Sequence, residues 1–460
     1  MPLNRSFWNI FLKTRYLISL SIIIELTLFY FYYLPETKIF FGDEQRYFNT
    51  GLSIAAGGDW HANPLWPPMQ AVLIALFAKL FDNPLLPLQI FQYGLLLFAG
   101  FVIRDIVWRE TSNRLSAQLS LAIMILYPGW LAYSQYLWPE VIHVSLFVCI
   151  IWINSYKNNS YKWMLLSGLL IGLAILFKSV LILFIPFLFL PLLLQVKSGH
   201  SPLKPVLMKI ILSLLMALIV MTPASLKAHK MTGGWMVSNS SMFNLWFGLN
   251  DDKRQNFAHD IGGPLYGQYM KSADNYPQRN QTAKNKALKK MQDEGYINTF
   301  LAQISKQYFR LFDYQSFFSQ QFQGKKSDNY VNKYHHHSDD WLVKVILTFN
   351  NVFYFILMLA MFLGAVVAVT RSVVAKQFAL FLLYVLALFV LLHTKPRFRI
   401  PLVPVMAFYA AYLHCYLANK KWQLSQLLIN KRQLLLITIF VMAMTVLVFS
   451  AQLLDKVFPI

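Results

Sequence analysis

The chain has 460 residues, of which 57% are hydrophobic and 13% charged, and its formal net charge is +21. Ordinary soluble domains carry about 25% charged residues, so this balance excludes a soluble globular protein and predicts a polytopic membrane protein. The cations punctuate the gaps between apolar runs, as the positive-inside rule expects, which excludes reading them as a nucleic-acid footprint; some would meet anionic lipid head groups or a phosphorylated substrate.

Arg5, Lys13 and Arg15 precede an apolar run over 16–34. It is too long for a cleaved signal core and predicts an anchor with its N-terminus in the cytoplasm. An outer loop follows over 35–69. Within it, 44–56 has the spacing of a short amphipathic helix lying along the membrane surface, ended by Gly57-Gly58. Residues 66–81 are marginally long and carry Lys79, so a second interfacial or re-entrant helix is expected.

Runs at 85–103, 115–127, 139–154, 163–177, 180–194 and 210–222 read as crossings, with an aromatic-rich outer turn over 128–138. Residues 223–340 form the one long polar stretch, with glycine turns early and a helical, lysine-bearing part over 282–312. Runs at 342–369, 378–392, 401–417 and 434–453 complete the chain. The expected architecture is an all-α integral membrane protein of about 11 spans, with interfacial helices and one larger extracytoplasmic loop region. It divides into a membrane catalytic module over 1–222, the loop region 223–340 and the final helices 341–460. Cys149 and Cys415 lie inside apolar runs and read as small hydrophobes.

Acids are scarce, which makes Asp43 and Glu44, followed by Arg46, the pair to explain. An acid at a helix start needs no function, because it offsets the macrodipole. Other polar groups, however, fall in the remaining outer gaps: Glu140 after Trp138-Pro139, Lys178 between two runs, and Lys395, Arg397 and Arg399 before the tenth. Charge near the bilayer is costly and tends to be paired or functional. Fixed cations suit a phosphate leaving group, and a carboxylate beside them suits proton removal from an attacking hydroxyl.

Glu25 sits within the first run as a proton-relay or helix-pairing group. His61 and His259 are isolated and expected to be solvated or packed. His335-His336-His337 has no companion ligands, so no metal site is assigned and a divalent ion has no support. Neither a glycine-rich phosphate loop nor a Rossmann fingerprint is present.

Several motifs, in order along the chain, resemble one family. They are Asp43-Glu44-Gln45-Arg46-Tyr47; Trp66-Pro67-Pro68 before an apolar helix; Tyr127-Pro128-Gly129 and then Glu140; Gly172-Leu173-Ala174 running to Lys178; Asn239 followed by Asn244-Leu245-Trp246-Phe247-Gly248; and Pro396-Arg397-Phe398-Arg399-Ile400-Pro401-Leu402. Together they resemble the polytopic C-type glycosyltransferases (GT-C fold) of the protein O-mannosyltransferase and lipid A aminoarabinose transferase type, particularly bacterial members.

The resemblance implies an enzyme of a bacterial inner membrane that faces outward. It would move a sugar, with inversion, from a polyprenyl-phosphate carrier to a glycan, lipid or protein acceptor in the cell envelope. It implies Asp43 as the general base or an acceptor-orienting carboxylate, Glu44 shaping the same site and Glu140 as a second acid near the sugar or the acceptor. Arg46 and Lys178 would hold the donor phosphate, with Arg397 or Arg399 adding to the pocket. Tyr47, Asn239, Asn244 and Trp246 would make acceptor or loop contacts. Trp66 departs from the family's basic residue at that place, so one phosphate contact is missing or is supplied elsewhere. The rival readings are an O-antigen ligase or polymerase, whose chemistry would sit in a late loop and tolerate loss of Asp43, and a lipid-linked glycan flippase, which would show inverted repeats.

Overall fold

The computed structural model describes residues 13–32, 40, 42–251, 262–314 and 341–419, and every regular element among them is helical. The helices are α1 (Thr14–Tyr32), α2 (Glu44–Ala55), α3 (Met69–Leu80), α4 (Leu85–Thr111), α5 (Arg114–Leu126), α6 (Glu140–Tyr156), α7 (Tyr161–Phe177) and α8 (Leu203–Thr232). The polar stretch after α8 holds α9 (Ser241–Asn250), α10 (Gly262–Met270), α11 (Tyr276–Glu294) and α12 (Tyr296–Phe312). Then come α13 (Trp341–Ala368), α14 (Val373–Phe389) and α15 (Val403–Asn419).

Among the described residues five helices are long and apolar enough to cross a membrane, or six if Arg114–Leu126 and Pro128–Ser134, bent by 53°, form one span. The apolar helices α3, α6, α7 and α14 are shorter. The protein is therefore a multi-pass membrane protein, and the count of about 11 spans is not settled by the described residues. The expected run at 434–453 lies outside the described residues.

Local sequence sets the breaks. Gly57, at φ +92°, ends α2 in a conformation that glycine adopts without strain. The Asn113 side chain caps α5 by accepting from the Ser116 N–H at 3.0 Å. Pro186 and Pro191 lack the N–H a continuous helix needs, and 179–197 is accordingly three short helical pieces.

Two close seams hold the bundle. A Cβ added at Gly168 would meet the Ser213 carbonyl oxygen at 2.1 Å, and one at Gly172 would meet the Ala217 carbonyl at 2.9 Å, so α7 lies directly on the backbone of α8. This is small-residue packing of the Gly-x-x-x-Gly kind. Gly364 likewise lets α13 approach the Tyr409 carbonyl of α15. The span 396–419 is the bundle's centre, 83% buried, whereas the α8 span is 17% buried and lies at the periphery.

The turn over 128–138 is not a surface loop. Trp130, Tyr133, Tyr136 and Trp138 are all buried, so its irregular backbone must find partners inside the protein. Gln92 donates to the Ser134 and Tyr136 carbonyls, each at 2.8 Å, and Gln89 donates to the Gln135 carbonyl at 2.9 Å. Gln70 donates to the Leu137 carbonyl at 3.0 Å. Glu25 accepts from the Ser134 hydroxyl and the Gln135 amide, which makes it the anchor that ties α1 to this turn.

Candidate active site

Asp43 stands at the N-cap of α2 without capping its own helix. Its carboxylate instead forms an ion pair with Arg397, carried on the 3-10 turn Pro396–Leu402 just before the central helix. The Arg397 guanidinium lies over the Trp138 ring, 4.8 Å from its centroid. Burial pushes the Asp43 carboxyl up, but Arg397, Lys395 and Arg46 outweigh it and hold the group at about 2. Asp43 is thus ionised at neutral pH. Burial, reinforced by Asp43, raises the neighbouring Tyr47 phenol above its ordinary range, so Tyr47 remains a neutral donor.

A second pair lies beside the first. Lys178, in extended backbone at the end of α7, donates to Glu140, the first residue of α6, at 2.9 Å. Phe398 bridges the two pairs: the Lys178 ammonium is 5.0 Å and the Arg397 guanidinium 5.4 Å from its ring centroid. Glu140 Oε2 and Arg397 Nε are buried with no hydrogen-bond partner among the described residues. A polar cleft of about 430 Å³, lined by Gly42, Asp43, Gln45, Arg46, Asn49 and Thr50, opens beside Asp43. Arg46 is exposed on this cleft, its guanidinium 4.9 Å above the Tyr266 ring.

The structure therefore gathers Asp43, Tyr47, Arg46, Glu140, Lys178 and Arg397 from four separate stretches of chain. The remaining expected residues lie elsewhere. Glu44 is fully buried and accepts from the Leu137 N–H at 2.8 Å, holding the aromatic turn behind the site. Arg399 points away from Arg397, because residues two apart on a helical turn do not share a face. It donates to the Leu311 carbonyl at 3.3 Å and to the Asp313 carbonyl, and its guanidinium sits 4.4 Å over Tyr354.

Asn239, Asn244 and Trp246 join loops. The Asn239 N–H donates to the Pro64 carbonyl at 2.8 Å, and the Asn244 carbonyl accepts from the His393 N–H at 3.0 Å. Trp246 is buried in an apolar cluster with Leu65 and Phe243. Trp66, at the family's basic position, packs edge-on to Phe243 at 6.2 Å, so this loop is closed by apolar contact. His61 is packed beside Trp60, with ring centroids 5.6 Å apart. His259 and His335 to His337 lie outside the described residues. Among the described residues no three of His, Cys, Asp and Glu converge as a metal-ligand group.

Sequence reasoning missed the two aromatic platforms, Trp138 and Phe398. Each stands next to a charged site residue or its turn, and cations of this kind settle on ring faces.

Residues 66–226 match the family described as dolichyl-phosphate-mannose-protein mannosyltransferase, a stretch that includes Glu140 and Lys178. Over that stretch the chain is similar to this family of glycosyltransferases. No curated protein sequence matches it. Among solved structures, an archaeal oligosaccharyltransferase from Archaeoglobus fulgidus, in complex with an inhibitory peptide and a dolichol-phosphate, aligns with a TM-score of 0.47 at 12% identity, covering 94% of this chain. This chain spans only 54% of that protein's length. ArnT from Cupriavidus metallidurans, bound to undecaprenyl phosphate, aligns with a TM-score of 0.40 at 12% identity over 90% of this chain and 79% of its own.

Proposed function

We propose that the protein is an inverting glycosyltransferase of a bacterial inner membrane, facing the outside. Its donor is a polyprenyl-phosphate-linked sugar and its acceptor a hydroxyl of a cell-envelope glycan, lipid or protein. The observation that carries this reading is the pairing of Asp43 with Arg397 beside the Lys178–Glu140 pair, at the mouth of a polar cleft. The family similarity over 66–226 supports the same reaction class.

In the proposed reaction the acceptor oxygen forms a bond to the anomeric carbon while the bond from that carbon to the phosphate oxygen breaks. The electron pair stays on the phosphate. Asp43 receives the acceptor's proton. Arg397 and Lys178 stabilise the charge growing on the leaving phosphate, where a bidentate guanidinium is worth more than in water. The buried Arg397 Nε, without an acceptor among the described residues, is a donor available to a phosphate oxygen.

A carboxyl held at about 2 is a weak base. A donor phosphate that draws Arg397 toward itself relieves that hold and returns basicity to Asp43 at the moment of need. Arg46, on the exposed side of the cleft, suits contact with donor or acceptor there.

The test compares cells expressing wild type, Asp43→Asn or no protein, at matched levels, by mass spectrometry of polyprenyl-linked sugars and envelope glycans. The expected result is that Asp43→Asn matches the deletion, with a rate loss of about 10²–10⁴. One lipid-linked sugar accumulates and one glycan lacks that sugar. An Asp43→Asn strain with wild-type glycans, against a deletion that lacks them, overturns the reading.

A further inference from the structure

Beyond the reaction centre, a second buried charge cluster joins the outer region to the turn that carries Arg397. Asp251, just after α9, pairs with Arg310 of α12 at 2.8 Å, and both side chains are essentially inaccessible, 0% and 1% exposed. The His393 ring lies 3.4 Å from the same carboxylate oxygen. Lys306 donates to the Asp251 carbonyl at 2.8 Å, fixing the backbone as well as the side chain.

His393 is held from further directions. Its N–H donates to the Asn244 carbonyl, and its ring meets the Phe247 ring edge-on at 3.9 Å. Gly248 presses backbone to backbone here: an added Cβ would lie 2.6 Å from both the His393 nitrogen and the Leu391 oxygen. Six residues downstream Arg399 is fastened to the carbonyls at the end of α12. Arg397 thus rides on a short strap whose two ends are both fixed to the outer helices.

We infer that Asp251 is a positioning residue for the candidate site: through Arg310 and His393 it fixes the 393–399 strap, and so sets where Arg397 meets Asp43 and the donor phosphate. The last part rests on the proposed donor; the fixing of the strap does not. The geometry also argues that the cluster is more than stabilising. A buried ion pair is often replaceable by apolar residues of similar volume without loss of stability, yet such a replacement removes the contact to His393.

The experiment uses the full chain in detergent, as wild type, Asp251→Asn, the double variant Asp251→Leu/Arg310→Met, and Arg397→Ala. Amide hydrogen exchange reads the strap, and titration with undecaprenyl phosphate reads the donor pocket. The double variant is included because Asp251→Asn leaves Arg310 buried without its counter-charge and lowers stability by itself. In both Asp251 variants, strap amides are expected to exchange about tenfold faster or more while α15 amides are unchanged. Affinity for undecaprenyl phosphate is expected to fall about tenfold in each, approaching that of Arg397→Ala. A double variant with wild-type strap exchange and wild-type affinity overturns the inference and leaves Asp251 a buried ion pair. Faster strap exchange with no undecaprenyl phosphate binding by wild type overturns the donor reading alone.

Discussion

At the scale of single residues, Asp43 and Glu44 show how two adjacent carboxylates take different tasks. Helical geometry turns neighbouring side chains about 100° apart, so Asp43 faces the cleft while Glu44 turns inward to the Leu137 N–H. Glu44→Gln keeps an acceptor for that N–H and is expected to retain activity. Glu44→Ala leaves it unpaired in a buried place and is expected to lower stability by about 1–3 kcal/mol. Detergent thermal unfolding of both variants, with activity normalised to folded protein, checks this. The residue types at the centre were legible in the sequence, because isolated acids and cations in an apolar chain are conspicuous. Their directions were not. Arg397 and Arg399 look equivalent in the string Pro396-Arg397-Phe398-Arg399, and only the turn they occupy sends one to Asp43 and the other to the end of α12.

At the scale of elements, apolar runs and prolines marked most helices to within a few residues, as with α2, α7 and α13, whereas α4 runs eight residues past its expected end, to Thr111. The 128–138 turn was legible as a break but not as a buried one. Its burial depends on Gln70, Gln89, Gln92 and Glu25, which come from helices far away in sequence and supply its hydrogen bonds. The α7–α8 seam likewise depends on which face of α7 meets α8. Gly168→Ala puts a methyl against the Ser213 carbonyl and is expected to cost about 1–3 kcal/mol. Gly94→Ala, where an added Cβ meets nothing within 4 Å, is expected to be neutral or to stabilise by about 0.5–1 kcal/mol. Parallel melting curves in one detergent separate the two.

At the scale of the whole molecule, the α9–α12 region and the membrane bundle are joined through His393, whose ring lies 3.4 Å from the Asp251 carboxylate and within the electrostatic reach of Lys395 and Arg310. Burial lowers its titration from 6.5 to about 3, with Asp251 opposing and Lys395 and Arg310 assisting. An unfolded chain takes a proton there below 6.5 and the folded one does not. Stability present above 6.5 is therefore lost as pH falls toward about 3, at about 1 kcal/mol per pH unit. Asp251, whose ordinary value is 3.8 and whose folded value is about 2, adds its own acid loss as pH falls through about 3.8, at the lower end of that window. Unfolding measured from pH 7 to 4 is expected to steepen with acid in wild type and to flatten in His393→Gln. The Asp43–Arg397 pair adds an order of events to this architecture. The partners stand 354 positions apart, and ribosomes deliver the N-terminal one first. Throughout most of its synthesis, the nascent protein carries Asp43 without Arg397. A molecule released early, before residue 397, therefore lacks the residue that Asp43 pairs with in the folded protein.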